Sequence, residues 1–249
     1  MLKEKRHELI LKDLDNYGFT QVSKLKDLLS VTDMTVRRDL KELEEQNLLI
    51  RVHGGAKSLE KALPREFSNE EKMLKNKDKK EYIGKLIANT IKDGEIVFLG
   101  AGTTIEYASE FLEGKQCRIY TNSLYLFNKL NKIKSIKLNL VGGEFREITG
   151  AFVGSMAIDF AKKTTFSKAF IGVNGIDEGL AYTYSVDEGL LQEIILDNAK
   201  KAYIIADSSK IGRKDFYSFY EIKNSQLISD KYMSRDDKNI IKKYTKLIN

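Results

Sequence analysis

The chain is 249 residues long, enough for one small and one medium-sized domain, and its hydrophobic content of 42% can fill two cores. Its net charge of +6 is compatible with a polyanionic partner. The single cysteine, Cys117, excludes an intramolecular disulfide, no apolar run is long enough to span a bilayer, and the charged start of the chain is not a signal peptide. We therefore expect a cytoplasmic protein without a membrane partner.

The chain begins with two segments of the kind that open a helix-turn-helix. Leu2 to Tyr17 has the apolar spacing of a first helix, and Gly18 is a suitable stop for it. Ser23 can cap a second, shorter helix from Lys24 to Leu29. Only a tight turn fits between this helix and the amphipathic segment that follows, so we expect three helices around one small core.

The third predicted helix carries the strongest signal in the chain. Thr32 is its expected N-cap, and Val36, Leu40 and Leu43 recur at the i, i+4, i+7 spacing of an inward face. Two adjacent arginines lie off that stripe. A helix that packs by one face and keeps arginines on another is suited to the DNA major groove.

A β-wing is predicted directly after this helix. Leu48 to Val52 has the pattern of a strand, and the sequence HGG over residues 53–55 is a turn into a second strand. A wing places basic side chains against phosphate, while the third helix reads base edges. The predicted DNA contacts are Ser23, Met34, Thr35, Arg37, Arg38, Lys41, Arg51, His53 and Lys57.

The segment from Val31 to Ala56 resembles the N-terminal winged helix of the DeoR family of bacterial transcription regulators. Its runs MTVRRDLKELE and RVHGGA match the family pattern in residue type and spacing. Thr32 stands where the family often has serine, and Asn47 replaces a common glycine, which is compatible because asparagine tolerates the left-handed conformation. The resemblance implies a domain that binds double-stranded operator DNA, which we assign to residues 1–57.

The character of the sequence changes between residues 58 and 80. This stretch is highly charged, contains the only proline, Pro64, and ends in a lysine-rich run from Lys72 to Lys80. We interpret 58–80 as a linker that merges into a helix, and its lysines as a solvated charged surface. The alternative is that some of these lysines reach DNA phosphates beside the operator. Apolar periodicity resumes at Tyr82, so residues 81–249 are predicted to form a second domain.

In this second domain predicted strands and helices alternate, which indicates an α/β fold with a largely parallel sheet. The predicted strands are Ile96–Leu99, Arg118–Tyr120, Lys137–Val141, Ala169–Gly172 and Ala202–Ala206, with weaker ones at Phe219–Ile222 and Leu227–Ser229. The predicted helices include Thr104–Leu112, Ala151–Lys163, Val186–Lys200 and a terminal one at Ser234–Ile248.

Small and polar residues collect where these strands end. Because the carboxyl ends of parallel strands meet at one edge of an open sheet, we expect a shared crevice for an anionic ligand there. Backbone N–H groups and hydroxyls of residues 100–104 suit a phosphate, Lys210 and Arg146 can neutralise it, and carboxamides and a carboxylate suit sugar hydroxyls. The predicted ligand residues are Gly100, Gly102, Thr103, Thr104, Thr121, Asn122, Ser123, Gly143, Arg146, Asn174, Asp177, Asp187, Glu188 and Lys210.

The second domain also resembles the DeoR family, through the runs FLGAGTT, YTNSL, LVGGEFR, AFIGVNGID and ADSSKIGRKDF. This resemblance implies an effector domain with the fold of sugar-phosphate isomerases such as ribose 5-phosphate isomerase, and phosphorylated sugars as inducers. Many members have lysine four residues after the glutamate that matches Glu188, whereas Gln192 stands here. The run SVDEGLLQE is more similar to the subgroup of lactose phosphotransferase repressors, which respond to tagatose 6-phosphate.

The favoured function is a transcriptional repressor of a sugar-utilisation operon, modulated by a phosphorylated sugar. We expect a homo-oligomer, either a dimer or a tetramer, because one small winged helix contacts few base pairs. No metal or other cofactor is expected, since the two histidines, His7 and His53, both lie in the DNA-binding domain.

The alternative function is an enzyme that resembles sugar-phosphate isomerases and carries a DNA-binding appendage. Asp177, Asp187 or Glu188 could supply its carboxylate base, but Asn174 replaces an aspartate that the isomerase resemblance predicts. A nucleotide site at residues 100–104 is also disfavoured, because the loop lacks both the G-x-G-x-x-G spacing and the lysine of a P-loop. We therefore predict that the chain is not an enzyme.

Overall fold

The structure is a computed structural model that describes residues 2–17, 19–52, 54–58 and 66–249, with only the backbone described at 15–17 and 19. It divides into two compact units, Met1–Glu66 and Phe67–Asn249. Gly18, predicted as a helix stop, and His53, predicted as a DNA contact, lie outside the described residues.

The first unit has the architecture of a winged helix-turn-helix. The elements are α1 Lys3–Tyr17, β1 Phe19–Gln21, α2 Val22–Leu29, α3 Asp33–Glu45, β2 Ile50–Val52 and β3 Gly55–Lys57. The strands form an antiparallel sheet in the order β1-β3-β2, and the core lies between the helices and this sheet. Thr32 caps α3 by accepting a hydrogen bond from the Thr35 N–H at 3.3 Å, and Asn47 has a φ of 55°, as predicted for both.

The start of α2 differs from the prediction. Strand β1 is only three residues long, too short for the sequence to indicate. It runs directly into α2, so the N-cap of α2 is Gln21, and Ser23 lies inside the first turn of the helix. The Val22 N–H is satisfied by the Gly54 carbonyl at 2.9 Å rather than by a serine cap. Gly55 allows this close pairing of β1 and β3, because a Cβ there would collide with the Thr20 carbonyl.

The second unit begins with two helices, α4 Asn69–Met73 and α5 Lys77–Thr90; the first lies within the stretch interpreted as a linker, and the second starts there. A capping box starts α4: the Ser68 hydroxyl accepts from the Glu71 N–H at 3.2 Å, and the Glu71 carboxylate accepts from the Ser68 N–H at 2.9 Å. Helix α4 and the first turn of α5 are highly charged, so the sequence did not reveal their inward face.

Strands and helices then alternate through a region that the structure describes completely. The strands are β4 Ile96–Leu99, β5 Arg118–Thr121, β6 Lys137–Leu140, β7 Glu144–Arg146, β8 Ala151–Val153, β9 Lys168–Gly172, β10 Gly175–Asp177, β11 Leu180–Thr183, β12 Ala202–Ile205, β13 Tyr217–Glu221, β14 Gln226–Ile228 and β15 Lys246–Ile248. The helices are α6 Thr103–Glu106, α7 Leu124–Leu130, α8 Ser155–Lys162, α9 Val186–Asp197 and α10 Arg235–Ile241, with short 3₁₀ helices at Tyr107–Phe111, Ser208–Lys210 and Ile222–Asn224.

Within residues 66–249, seven parallel strands form the main sheet in the order β15-β14-β12-β9-β4-β5-β6. Side chains of β4 alternate between two apolar clusters: Phe98 packs into one, and Val97 and Leu99 into the other. Both faces of the sheet are therefore covered, which confirms the predicted α/β class. The strand order reverses between β4 and β9, and open sheets of this kind bind ligands at the carboxyl ends of the strands beside such a reversal.

Two predicted helices are wrong in part. The segment 151–163 starts with strand β8, which pairs with β7, and α8 begins only after Gly154, whose φ is +84°. The predicted terminal helix stops at Ile241, and Lys246–Ile248 instead pairs with β14 in parallel. The apolar residues at 240, 241, 244 and 247 have helical spacing, which is why a helix was predicted there. The strand β15 is revealed only by its backbone pairing with β14 at the edge of the sheet.

None of the helices in the described ranges has the length and apolarity that a bilayer crossing requires. Among the same residues, no three metal-ligating side chains of the His, Cys, Asp and Glu types come together.

Candidate functional sites

Helix α3 presents its arginines on the surface of the first unit. Val36, Leu40 and Leu43 are buried to 1% exposure or less, whereas Arg37 and Arg38 are exposed. Arg37 is held by its Nε, which donates to Asp33 Oδ2 at 2.8 Å one helical turn away. The predicted contacts Met34 and Lys41 are exposed as well, and Thr35 is half-buried in the cap of the helix.

Asp39, which follows the two arginines on α3, has a structural role. Asp39 is completely buried and accepts two hydrogen bonds from Arg6 of α1, at 2.6 Å from Nε and 2.9 Å from Nη2. Burial opposes the charged form of Asp39, but the hydrogen bonds and charge of Arg6 outweigh it and hold the pKa of Asp39 below its usual value. This bidentate pair fixes α3 against α1, a function that the sequence motif did not reveal.

The wing places two further basic residues on the surface. Arg51 lies on β2 and Lys57 on β3, and both are exposed. Glu44 of α3 accepts from the Arg51 N–H at 2.8 Å, which attaches the wing to the end of that helix. Ser23 on α2 is also exposed. These positions satisfy the access that DNA binding requires; the contacts themselves remain predictions.

In the second unit, the loops after β4, β5, β9 and β12 lie at one edge of the sheet. Asn122 joins two of the elements there: its Oδ1 accepts from the Ala101 N–H at 3.1 Å, and its Nδ2 donates to the Phe152 carbonyl at 2.9 Å. Thr121 and Ser123 are fully buried and accept backbone N–H groups. Three predicted ligand residues thus use their side chains to build the edge.

The glycine-rich loop remains open to a ligand. Thr104 is half-buried, and a Cβ added at Gly102 would meet no atom within 4 Å. Gly100, Thr103 and Gly143 are more enclosed; a Cβ at Gly143 would collide with the Val153 carbonyl, so this glycine permits the β7–β8 hairpin to pack closely.

Three lysines lie close to one another near α6, which follows this loop, and we call Lys72, Lys80 and Lys210 the lysine cluster. Lys80 is only 3% exposed, and its Nζ donates to the Lys72 carbonyl. Burial lowers the pKa of the Lys80 amine to about 8, and Lys210 and Lys72 add to this effect against the opposing charges of Asp207 and Glu106. Burial likewise lowers the pKa of Lys210, with Lys72 and Arg213 contributing against Asp207.

The interpretation of the linker lysines as solvated charge is therefore wrong for Lys80. The neighbouring residues of α5 also dock on the loop after β12: Lys79 Nζ donates to Ser208 Oγ at 2.8 Å, and Asn76 Nδ2 donates to Ser209 Oγ at 3.1 Å. Sequence charge alone could not distinguish a lysine on the inward face of a helix from one in solvent.

The remaining predicted ligand residues fall into separate groups. Lys72 Nζ donates to Asn174 Oδ1 at 3.5 Å, which brings Asn174 to the lysine cluster. Glu188 lies apart from it and accepts from Arg146 Nη1 at 3.0 Å. Asp177 pairs with Lys214 at 3.4 Å. Asp187 is exposed in the first turn of α9.

Comparison with known proteins identifies both units. Residues 6–62 match the DeoR-like helix-turn-helix domain, and residues 75–231 match the DeoR C terminal sensor domain. The chain belongs to the DeoR family. Its two domains make it a DNA-binding transcriptional regulator with a sensor for a small molecule, as the sequence predicted.

Full-length relatives agree with this assignment. The lactose phosphotransferase system repressor of Staphylococcus epidermidis is 37% identical over all of both chains, and that of Streptococcus mutans is 39% identical over all of both chains. The repressor of the same name from Lactococcus lactis subsp. lactis is 42% identical over 86% of each chain. Ribose 5-phosphate isomerase A from Methanocaldococcus jannaschii is a distant structural neighbour, 18% identical over 55% of each chain with a TM-score of 0.41, and has no bearing on the activity.

Proposed function

We propose that the chain represses a sugar-utilisation operon in the cytoplasm and that a phosphorylated sugar bound in its second domain relieves the repression. The lysine cluster is the observation that carries the sensing half. Within the described residues, neither Lys80 nor Lys210 has a carboxylate oxygen within 4.0 Å of its ammonium. Buried cations need a counter-charge, and a dianionic phosphate supplies it in the adjoining open loop at Gly102.

Helix α4 is the helix of the second unit that lies nearest in the sequence to the DNA-binding domain. Asn69 Nδ2 donates to Glu106 Oε1 of α6 at 2.6 Å, and the Asn69 N–H donates to the Ile148 carbonyl at 2.9 Å. Lys72 of the same helix belongs to the lysine cluster. A phosphate that draws these lysines together shifts α4, which lies shortly after residues 58–66, and so changes how two DNA-binding domains match their half-sites.

The DNA-binding half of the proposal assigns base contacts to α3 and phosphate contacts to the wing. Each chain presents one recognition helix, so a homo-oligomer reads two half-sites of the operator. The relatives that match over their full length are named repressors, which supports repression as the direction of control.

A ligand screen by thermal unfolding tests the sensing half. A phosphorylated sugar should raise the melting temperature of the full chain, with a stabilisation of about 2.7 kcal/mol at a hundredfold excess over its Kd, while the corresponding free sugar should have no effect. Lys210→Ala should remove the shift, because it deletes one of the cations that neutralise the phosphate. A shift that persists in this variant would contradict the assigned site.

Substitutions in α3 and the wing test the DNA-binding half. Arg38→Ala should weaken operator binding by about 1 to 3 kcal/mol and random DNA much less, whereas Lys57→Ala should weaken both alike and reduce the salt slope by about one unit. The measurement is binding to both DNAs across a salt series, with Arg118→Ala of the second unit as the control. Equal losses on operator and random DNA for Arg37→Ala and Arg38→Ala would exclude base reading by α3.

A further inference from the structure

Gln192 is a buried residue whose amide oxygen accepts no hydrogen bond from the described residues. It lies on α9 with 8% of its surface exposed, and its Oε1 is fully buried without a hydrogen-bond partner among the described residues. An acceptor that has lost its water without gaining a donor destabilises the folded state. An apolar side chain would serve packing better at this position, so the amide indicates a partner that the protein itself does not supply.

The same face of α9 carries Glu188 one helical turn earlier. Glu188 is 7% exposed, and its Oε1 accepts from Thr149 Oγ1 at 2.6 Å and from Arg146 Nη1 at 3.0 Å. The donors of the β7–β8 hairpin thus satisfy the glutamate oxygen, while the amide oxygen four residues on receives none. This face of α9 carries a buried, unpaired acceptor beside a fixed polar group.

This polar face is connected to the proposed phosphate site. Phe152 of β8 exchanges hydrogen bonds with Asn122, its N–H donating to the Asn122 carbonyl at 2.7 Å and its own carbonyl accepting from Asn122 Nδ2 at 2.9 Å. Asn122 in turn holds the Ala101 N–H in the loop after β4. The hairpin therefore links α9 to the loop that borders the lysine cluster.

We infer that Gln192 is a specificity-determining residue of the effector site, where its Oε1 accepts a hydrogen bond from one hydroxyl of the bound sugar phosphate. This inference rests on the proposed function, since the lysine cluster holds the other end of the ligand. A hydroxyl supplies the missing donor, and a polyhydroxyl sugar has several from which one is selected. A site with an otherwise unpaired buried acceptor rejects an analogue that lacks the donor, because that analogue leaves the acceptor unpaired.

Gln192→Met tests this role, because methionine keeps the length of the side chain and removes the acceptor. The variant should unfold at the same or a higher temperature than the wild type without ligand, and should bind the effector sugar phosphate about tenfold or more weakly. Its affinity for inorganic phosphate should stay within about twofold. Gln116→Met, an exposed site at the opposite end of β5, is the matched control and should change neither affinity.

Titration calorimetry on the full chain, with inorganic phosphate, the sugar phosphate found in the screen and its monodeoxy analogues, separates the outcomes. One deoxy analogue should bind the wild type and Gln192→Met with equal affinity. The hydroxyl that this analogue lacks is then the one that donates to Gln192, because removing the donor and removing the acceptor have the same effect. Equal binding of the full sugar phosphate to both proteins overturns the role of Gln192 and leaves the phosphate site intact. Failure of the wild type to bind phosphate or any sugar phosphate overturns the proposed function and this inference together.

Discussion

Replacing Lys80 with methionine should stabilise the unliganded protein and abolish its response to the effector. The pKa of Lys80 falls from 10.5 to about 8, which means that the folded protein disfavours the charged amine by about 3 kcal/mol relative to water. Methionine removes that charge at similar length, and the Lys72 carbonyl loses one of its donors but keeps the Lys75 N–H at 3.2 Å. The net gain in the free energy of unfolding should therefore be about 1 to 2 kcal/mol. Effector binding should be lost, because a buried cation of the proposed phosphate site is gone.

The same substitution predicts a change in pH dependence with a definite sign. Between pH 8 and 10.5 the amine of Lys80 is protonated in the unfolded chain and neutral in the folded one, so the free energy of unfolding of the wild type should rise with pH in this window. Effector affinity should fall over the same range as the cation is lost. Lys80→Met should lack both trends.

Thermal and denaturant unfolding of the full chain, with and without effector, checks these expectations. Lys85→Met is the matched control, because Lys85 lies on the same helix, α5, and is exposed. It should leave stability, effector binding and both pH trends as in the wild type. A Lys80→Met protein that is less stable than the wild type, or that still binds the effector with wild-type affinity, would show that Lys80 is structural.

Asp39→Asn should destabilise the DNA-binding domain by about 3 to 5 kcal/mol, because it removes the carboxylate charge that pairs with the buried Arg6 guanidinium. The pair joins α1 to α3, so operator affinity should fall even though Asp39 is completely buried and cannot touch DNA. Since the pKa of Asp39 is lowered in the folded state, its stabilisation is present at neutral pH and is lost as the pH falls below its ordinary value. The variant should lack that part of the acid sensitivity.

Urea unfolding monitored on α-helical signal, together with operator binding, measures both effects. The control is Glu8→Gln, which breaks an exposed pair with Lys5 on α1 and should leave stability and operator binding unchanged. An Asp39→Asn protein with wild-type stability would contradict the role of the buried pair.

The sequence predicted correctly those helices and strands whose formation depends on residues close together in the chain. The stripe of Val36, Leu40 and Leu43 and the cap at Thr32 defined α3, and apolar runs defined β4 and β9 because parallel strands are buried on both faces. Strand β15 was missed because its residues share their spacing with a helix, and only pairing with β14 decides between the two.

In the candidate sites too, features set by nearby residues could be predicted from the sequence, and features set by tertiary packing could not. Exposure of Arg37 and Arg38 followed from the helix period alone. The depth of Lys80, by contrast, depends on where α5 docks against the loop after β12, and no neighbouring residue in the sequence carries that information. The aspartate after the two arginines was visible as part of a motif, but its partner Arg6 lies 33 residues away, and only the packing of α1 on α3 brings them together.

Operator affinity measured with and without a sugar phosphate, at one salt concentration, tests most directly whether the two domains form a repressor and its sensor. For the wild type, the effector should weaken operator binding by about 5- to 150-fold, and operator DNA should weaken effector binding by the same factor. Lys210→Ala should bind the operator like the wild type and show no response. A wild-type operator affinity that no sugar phosphate changes, together with turnover of one of them, would contradict the repressor and favour an enzyme.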